Sequence, residues 1–319
     1  KEYMEIYYWG GIFMAVPMIG NAVLRASGDA KTPSVLMASS AIINAVLDPI
    51  LIFGWFGLPA MGVRGAALAS VLANVVFLIA SLIILIFRDD LIQFRNHSFK
   101  SIIESWKKIL HVGLPAIASN LIAPLSTAFV TALISSYGQT AVAAYGLAGR
   151  LEAFIIVIIM ALGGAMSPYV GQNFGAKRFD RLSSGFKFAT QFTLVYSIFC
   201  IVFFYLSAEF FLGFFTSDPE VIRIAKIQLL YCPWGYGFLG LAAICNGSFN
   251  AFGKPMPAMV ISISRTLVVY VPMAYLFAYL FGIRGVFIAQ VLANILAGMV
   301  AVIWYRLIFR QLSSPQQQT

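Results

Sequence analysis

The feature that most constrains this chain is the recurrence of long apolar runs along almost its whole length. An apolar run of about 18 residues or more, with few charges, spans the hydrocarbon core of a bilayer as a helix. Only 10% of the residues are charged, against about 25% in soluble domains. The runs lack the polar–apolar alternation of membrane-barrel strands. The sequence therefore predicts an all-α polytopic membrane protein.

Nine hydrophobic spans can be drawn, and each is long enough to cross a membrane. They cover approximately residues 3–24, 34–54, 63–87, 110–136, 141–170, 188–215, 222–249, 258–281 and 286–309. The connections between them divide into two alternating sets that differ in Lys and Arg content. The richer set holds Arg25, Lys31, Arg88, Arg95, Lys100, Lys107, Lys108, Lys177, Arg178, Arg181, Lys187, Lys254, Arg306 and Arg310. The poorer set holds Lys1, Arg64, Arg223, Lys226 and Arg284. This bias predicts a cell-membrane protein, plasma or inner, with a cytoplasmic C-terminus. The net charge of +9 is therefore explained by the basic cytoplasmic connections of a membrane protein, and we expect no nucleic-acid partner.

An internal repeat organises the spans. The segment 62–76, "GVRGAALASVLANVV", aligns with 282–296, "GIRGVFIAQVLANIL", so spans one to three correspond to spans seven to nine. Spans four to six have no counterpart, and we therefore expect three further helices before residue 1, giving twelve in two six-helix lobes. Both copies have the same orientation, which is a parallel repeat typical of transporters. The predicted domains are 1–87 (second half of the first lobe), 88–109 (cytoplasmic linker), 110–310 (second lobe) and 311–319 (cytoplasmic tail).

Asp48 stands within an apolar span, in "INAVLDPILIFG". An ionisable residue in the membrane is expensive and indicates function by default. Asn44 lies one helical turn earlier, on the same face. Pro49 cannot donate an N–H, so the carbonyl of Ala45 is left free. These oxygens suit a cation, and the carboxylate alternatively binds a proton or accepts a structural hydrogen bond. The repeat favours function, because the equivalent helix of the second half has only Val or Pro opposite Asp48.

Three further charges lie within spans: Arg150, Glu152 and Arg265. Arg150 and Glu152 are two residues apart and do not face each other on a helix. Arg265 is a possible partner for Glu152. A structural ion pair and a role in substrate binding or coupling both remain open for this group. The many amides within spans, including Asn74 and its repeat partner Asn294, are expected chiefly to form interhelical hydrogen bonds.

The sequence contains no metal-binding spacing of Cys or His, and no nucleotide-binding glycine motif. We therefore expect no catalytic residue, no bound metal beyond possible Na⁺ at Asp48, and no cofactor. Without an ATP-binding motif, the energy source should be an ion gradient. A membrane-embedded hydrolase would need a His or paired acids at membrane depth, and a seven-helix receptor would not show this repeat, so an enzyme or a receptor is disfavoured.

Several stretches resemble multidrug and toxic compound extrusion (MATE) transporters: "NAVLRASGDAKTPSVLM", "INAVLDPILIFG", "GVRGAALAS", "VGLPAIASN" and "SPYVGQNFGAKRFDR". The resemblance covers most of the chain and implies that it begins near the fourth of twelve helices. It also implies a secondary exporter of organic, mostly cationic or amphipathic compounds against Na⁺ or H⁺. We expect a monomer surrounded by membrane lipid.

One branch of that family has a cation site in its first lobe, and the resemblance carries it over to Asn21, Asn44 and Asp48, with Ser70 in place of a Thr. An acid that the family places on its first helix has no counterpart in this sequence. A glutamate that another branch uses is replaced by apolar residues near Ala123. The alternative function is a lipid-linked oligosaccharide flippase of the same architecture. Such a cavity needs many cationic residues, and only Arg150 and Arg265 lie within spans.

Overall fold

The computed structural model describes residues 2–88 and 98–313. Its α-helices are α1 Glu2–Trp9, α2 Gly11–Ala26, α3 Lys31–Phe53, α4 Val63–Ile83, α5 Phe99–Ser135, α6 Gln139–Gly175, α7 Phe179–Gly213, α8 Pro219–Tyr231, α9 Tyr236–Ala251, α10 Pro255–Ile263, α11 Val271–Phe281 and α12 Ile283–Ser313. No strand occurs in the described ranges. The predicted all-α class is confirmed.

Eight helical segments within the described residues are long and apolar enough to cross a membrane. They are Lys31–Phe53, Val63–Arg88, Phe99–Ser135, Gln139–Gly175, Phe179–Gly213, Pro219–Ala251, Pro255–Phe281 and Ile283–Ser313, and they match the last eight predicted spans. The first predicted span differs, because Gly10 interrupts it between α1 and α2. A Cβ at Gly10 would clash with Val71, so glycine permits the close approach of this break to α4.

The chain forms two compact units, Lys1–Ser98 and Phe99–Thr319. In the first unit, α4 packs against α1, α2 and α3. The packed face of α4 carries small residues, among them Gly65, Ala69 and Ala73, which let neighbouring helices approach closely. Gly54, with φ of 73°, ends α3 in a left-handed conformation that glycine adopts without strain.

In the second unit, α9 is the central helix and packs against α6, α7 and α12. One hydrophobic cluster surrounds Tyr236, Phe204 and Phe287. A second surrounds Phe249 and Tyr305. Polar residues on α6, α8, α9 and α12 lie inside or beside these clusters, so the core of this unit also positions its buried polar groups.

Two prolines reshape helices in the second unit. Pro233 lies in the single 3₁₀ turn Cys232–Gly235 that separates α8 from α9. Between α10 and α11 the residues Ser264–Tyr270 form a π-helix, in which the N–H of Val271 bonds to the carbonyl of Thr266 five residues earlier. Pro272 has no N–H to donate to the carbonyl of Val268, four residues earlier. The wider winding of the π-helix therefore sacrifices no hydrogen bond at this position. The π-helix contains Arg265.

The second part of the predicted linker is helical. Residues 99–109 form the first turns of α5, and no glycine or proline interrupts the helix between Phe99 and the apolar span. Residues 89–97 of the predicted linker, and residues 314–319 of the predicted tail, lie outside the described part of the chain.

The outer surface of the spans is apolar. On α7, the residues Phe188, Val195, Ile198 and Leu206 are all more than 60% exposed. A contiguous apolar face of this kind is unfavourable in water and favourable against lipid tails. This surface supports the membrane assignment made from helix length.

Candidate functional site

The first unit contains a polar cluster between α3 and α4. The side-chain nitrogen of Asn44 lies 3.5 Å from Oδ1 of Asp48, one turn further along α3, at the limit for a hydrogen bond. The same nitrogen donates across to the hydroxyl of Ser70 on α4, at 3.3 Å. The spacing of four residues places Asn44 and Asp48 on one helix face, and the packing of α3 on α4 brings Ser70 to that face.

One further hydrogen bond near the cluster joins α3 to α4, and another lies within α4. The hydroxyl of Ser40 donates to the carbonyl of Ala73 at 3.3 Å, and Asn74 donates to the carbonyl of Ser70 on its own helix at 2.8 Å. Pro49 lies inside α3, so the carbonyl of Ala45 receives no helical hydrogen bond from it. The cluster thus combines one carboxylate with amide, hydroxyl and carbonyl oxygens, a donor set that suits a hard cation or a proton.

Asn21 lies apart from this cluster. It is buried on α2 with 3% exposure, and its side-chain oxygen has no hydrogen-bond partner among the described residues. The adjacent Gly20 packs against Ser81, which is about 16 Å beyond Ser70 along α4. Among the described residues, the hydrogen bonds of the Asn44–Asp48–Ser70 cluster do not include Asn21, so its place in the cation site stays a prediction.

A second polar cluster lies inside the second unit. Glu152 on α6 is 6% exposed, and its Oε2 accepts a 3.1 Å hydrogen bond from the side-chain nitrogen of Gln228 on α8. Its other oxygen, Oε1, has no partner among the described residues. The side chains of Cys232 and Tyr236 lie beside this carboxyl group. Glu152 is thus a buried acid that an amide binds on one side only.

Hydrogen bonds continue from this cluster toward α12. The thiol of Cys232 lies 3.6 Å from the side-chain oxygen of Gln290, and the hydroxyl of Tyr270 lies 3.5 Å from the same oxygen. Gln290 therefore connects the surroundings of Glu152 with the π-helical segment.

Arg265 has a different partner from the one that the sequence suggested. Its Nη1 donates to Oδ1 of Asn294 on α12 at 3.0 Å, and no ion pair joins it to Glu152 among the described residues. The structure does not form the predicted Glu152–Arg265 pair, because Glu152 accepts from Gln228 and Arg265 donates to Asn294 instead. Arg150 is exposed on α6.

Arg265 lines two cavities. The smaller, of about 170 Å³, is lined by Ser126, Thr127, Val130, Tyr145, Arg265, Thr266, Tyr270, Gln290, Ala293 and Asn294. The larger, of about 340 Å³, is lined by Ala116, Asn120, Met160, Leu239, Ala242, Ala243, Asn246, Asn250, Pro255, Ala258, Ile261, Ser262 and Arg265. Both lie entirely within the second unit. Among residues 2–88 and 98–313, no group of three His, Cys, Asp or Glu could hold a metal ion.

Pattern alone did not indicate the roles of Gln228 and Asn294. Both were grouped with amides expected to serve packing, and Asn294 appeared redundant because the repeat matches it with Asn74. The available signal was charge, since a buried acid and a buried guanidinium each require a polar partner at membrane depth. That requirement predicts that each charge has a polar partner, but it does not identify which residue the partner is.

The MatE family profile matches residues 1–50 and 115–276. This chain belongs to the MatE family. The FAD transporter of Shewanella oneidensis is 32% identical over 298 residues, covering 93% of this chain and 66% of that protein. The probable multidrug resistance protein YoeA of Bacillus subtilis is 28% identical over 282 residues, covering 87% and 61% respectively. The chain therefore spans slightly less than two thirds of these relatives. The MATE resemblance is confirmed.

Solved structures agree with the helical architecture. The crystal structure of the Vibrio cholerae MATE transporter VcmN in the bent form matches with a TM-score of 0.87 and 30% identity, covering 97% of this chain and 69% of that one. The family consists of multi-span membrane transporters and not enzymes. Relatives in this set are named for multidrug resistance or multidrug export.

Proposed function

We propose that the protein to which this chain belongs is a secondary active exporter of small organic molecules, coupled to Na⁺ or H⁺ entry at Asp48. The observation that carries the proposal is the contact of Asn44 with both Asp48 and Ser70, across α3 and α4. A carboxylate with neutral oxygen donors beside it supplies one negative charge, which a single Na⁺ or a proton balances. Family membership supports transport as the activity.

The mechanism follows from the charge on Asp48. Without a cation, an ionised carboxylate between two membrane helices is unfavourable unless water reaches it. Binding Na⁺ or H⁺ removes that penalty and favours closer packing of α3 on α4. Closure on the coupling ion would then accompany release of cargo to the outside. In this scheme the ion shifts the equilibrium by its differential affinity for the two states.

The cargo is proposed to be amphipathic and in most cases cationic, as the MATE resemblance implies. The FAD transporter relative adds a second candidate cargo, a flavin dinucleotide, because it is 32% identical over nearly the whole chain. We propose that transport operates from a monomer in the cell membrane with the C-terminus in the cytoplasm. The loop charges support this orientation.

The test is uphill export by the full-length protein in proteoliposomes, driven separately by a Na⁺ and a pH gradient. Asp48→Asn should abolish export with both gradients, while Asp180→Asn, which removes an exposed acid at the start of α7, should leave it unchanged. Asn44→Leu should weaken ion dependence more than cargo binding. Wild-type export by a folded Asp48→Asn protein would overturn the proposal.

A further inference from the structure

Arg265 lines both of the cavities described above, the smaller and the larger. Of the described residues that line either cavity, it is the only one with a charged side chain. An arginine at membrane depth is expensive and normally has an anionic partner. Here the cavities contain no acid to balance it, so their walls are positive overall.

The guanidinium of Arg265 retains hydrogen-bonding capacity. It has five N–H donors, and the hydrogen bond identified in the described part of the chain uses one of them, toward Asn294. The neutral acceptor leaves the positive charge uncompensated. A phosphate or carboxylate matches the planar fork of arginine with two parallel, charge-assisted hydrogen bonds.

The larger cavity contains further unpaired polar groups. Asn246 and Asn250 lie one turn apart on α9, and the side-chain oxygens of both are buried without a hydrogen-bond partner among the described residues. The nitrogen of Asn246 donates to the hydroxyl of Ser262, at 3.4 Å. Buried polar atoms are normally satisfied. Two unpartnered amide oxygens in the wall of one cavity therefore point to hydroxyl or N–H groups on a bound molecule.

Aromatic side chains complete the lining of the smaller cavity. Tyr145 and Tyr270 line it beside Arg265, and their rings offer faces on which a planar ring can pack. The larger cavity, about 340 Å³, falls within the usual range of about 300–1,000 Å³ for small-molecule sites. Arg265 belongs to the π-helix, a form of winding frequently found at functional sites.

We propose that these cavities bind an organic anion, with a phosphate or carboxylate at Arg265 and the hydrogen-bonding body of the molecule at Asn246 and Asn250. As a cargo site, this proposal rests on the exporter function and on its second candidate cargo, the anionic flavin dinucleotide. Binding itself needs no ion gradient, so it is separable from the coupling role of Asp48. The anionic group belongs either to a soluble cargo or to a phospholipid headgroup, and the same chemistry recognises both.

The test compares two probes that differ by one phosphate, riboflavin and flavin mononucleotide, titrated into the purified full-length protein in uncharged detergent. Flavin mononucleotide should bind about ten- to a hundredfold more tightly, because charge-assisted hydrogen bonds contribute roughly 1.5–3 kcal/mol. Arg265→Gln should abolish that preference. Arg265→Lys, which keeps the charge and loses the fork, should retain only part of it. Arg306→Gln, which removes an exposed arginine elsewhere on α12, should preserve it.

A second variant keeps the proposal testable if Arg265→Gln does not fold. Asn250→Leu should weaken both flavins equally, since it removes a contact to the neutral body of the probe. Equal affinity for the two flavins in the wild type, or an unchanged preference in Arg265→Gln, would overturn the proposal. If flavin mononucleotide binds no more tightly than riboflavin while Asp48-dependent export is intact, the anion site is refuted and the exporter function stands.

A lipid arm distinguishes the two sources of phosphate. The titration is repeated after adding phosphatidylglycerol or, as a control, the same amount of a neutral glycolipid. Displacement of flavin mononucleotide by phosphatidylglycerol, absent in Arg265→Gln, assigns the site to a lipid headgroup. Retention of the probe with both lipids assigns it to a soluble anion. Displacement that is the same with and without Arg265 would count against the site.

Discussion

Arg265 and Asn294 meet side chain to side chain across 3.0 Å, on two helical segments that are 29 residues apart in sequence. The guanidinium thereby gains an oxygen acceptor and no negative charge. This relationship separates Arg265 from Glu152, the acid that shares its unit. It also defines the positive character of the two cavities that Arg265 lines.

Replacing Asn294 with leucine should destabilise the protein, because a partly buried guanidinium loses the one hydrogen-bond acceptor described for it. We expect a loss of about 1–3 kcal/mol in the free energy of unfolding, measured by denaturation in detergent. Asn74→Leu is the matched control, since Asn74 occupies the equivalent repeat position and its hydrogen bond among the described residues goes to its own helix. Equal losses for the two variants would contradict the assigned role of Asn294.

Glu152 and Gln228 should be energetically coupled through their buried hydrogen bond. A double-mutant cycle of Glu152→Ala and Gln228→Ala is expected to give a coupling energy of about 0.5–3 kcal/mol in the free energy of unfolding. Gln139 provides the control, because it lies about 20 Å from Glu152 along α6. Glu152→Ala and Gln139→Ala should be additive. Additivity in the Glu152–Gln228 cycle would show that the contact contributes nothing to stability.

The two adjacent glycines of "MALGGAM" should respond in opposite ways to alanine. A Cβ at Gly163 would lie 2.9 Å from the Cβ of Ala243 on α9, while a Cβ at Gly164 would meet nothing within 4 Å. Gly163→Ala should therefore cost about 1–3 kcal/mol in unfolding free energy. Gly164→Ala should be neutral or stabilising by up to about 1 kcal/mol, because alanine favours the helix. The thermal midpoints of the pair provide the measurement, and a tolerated Gly163→Ala would disprove tight α6–α9 packing here.

Asp29, in the turn between α2 and α3, should make stability depend on acid pH. Hydrogen bonds from the side chain and backbone N–H of Thr32, followed by one from Arg88, hold the pKa of its carboxyl well below the usual value. A depressed folded pKa means that the stabilisation is fully present above the unfolded pKa, near 3.9, and is lost as pH falls through the folded value.

The measurement for Asp29 is the difference in thermal midpoint between the wild type and Asp29→Asn at several pH values. That difference should be constant above about pH 5 and should shrink below about pH 4. Arg88→Gln should reduce the difference at neutral pH, because it removes the 2.5 Å contact to Asp29. A difference that stays constant down to pH 3 would rule out the acid-sensitive contribution.

Local properties of the sequence were sufficient for most of the fold. Helix length and apolarity predicted the last eight spans, because each depends on consecutive residues in one segment. The contact between Asn44 and Asp48 followed from a four-residue spacing on one helix, which is also local. The same spacing argument could not reveal the break at Gly10, whose cause is the approach of Val71 from another helix.

Pairing between helices required the tertiary structure. Asn21 belongs to the predicted cation site, and the described hydrogen bonds join Asn44 to Asp48 and Ser70 without it. Arg265 was predicted as a possible partner of Glu152, yet in the π-helix it donates to Asn294 on α12. The sequence by itself determined which segments are helical, that they span a membrane and which charges need partners there. Only the tertiary structure decided which partners they receive, because helix rotation, depth and crossing depend on all packed neighbours at once.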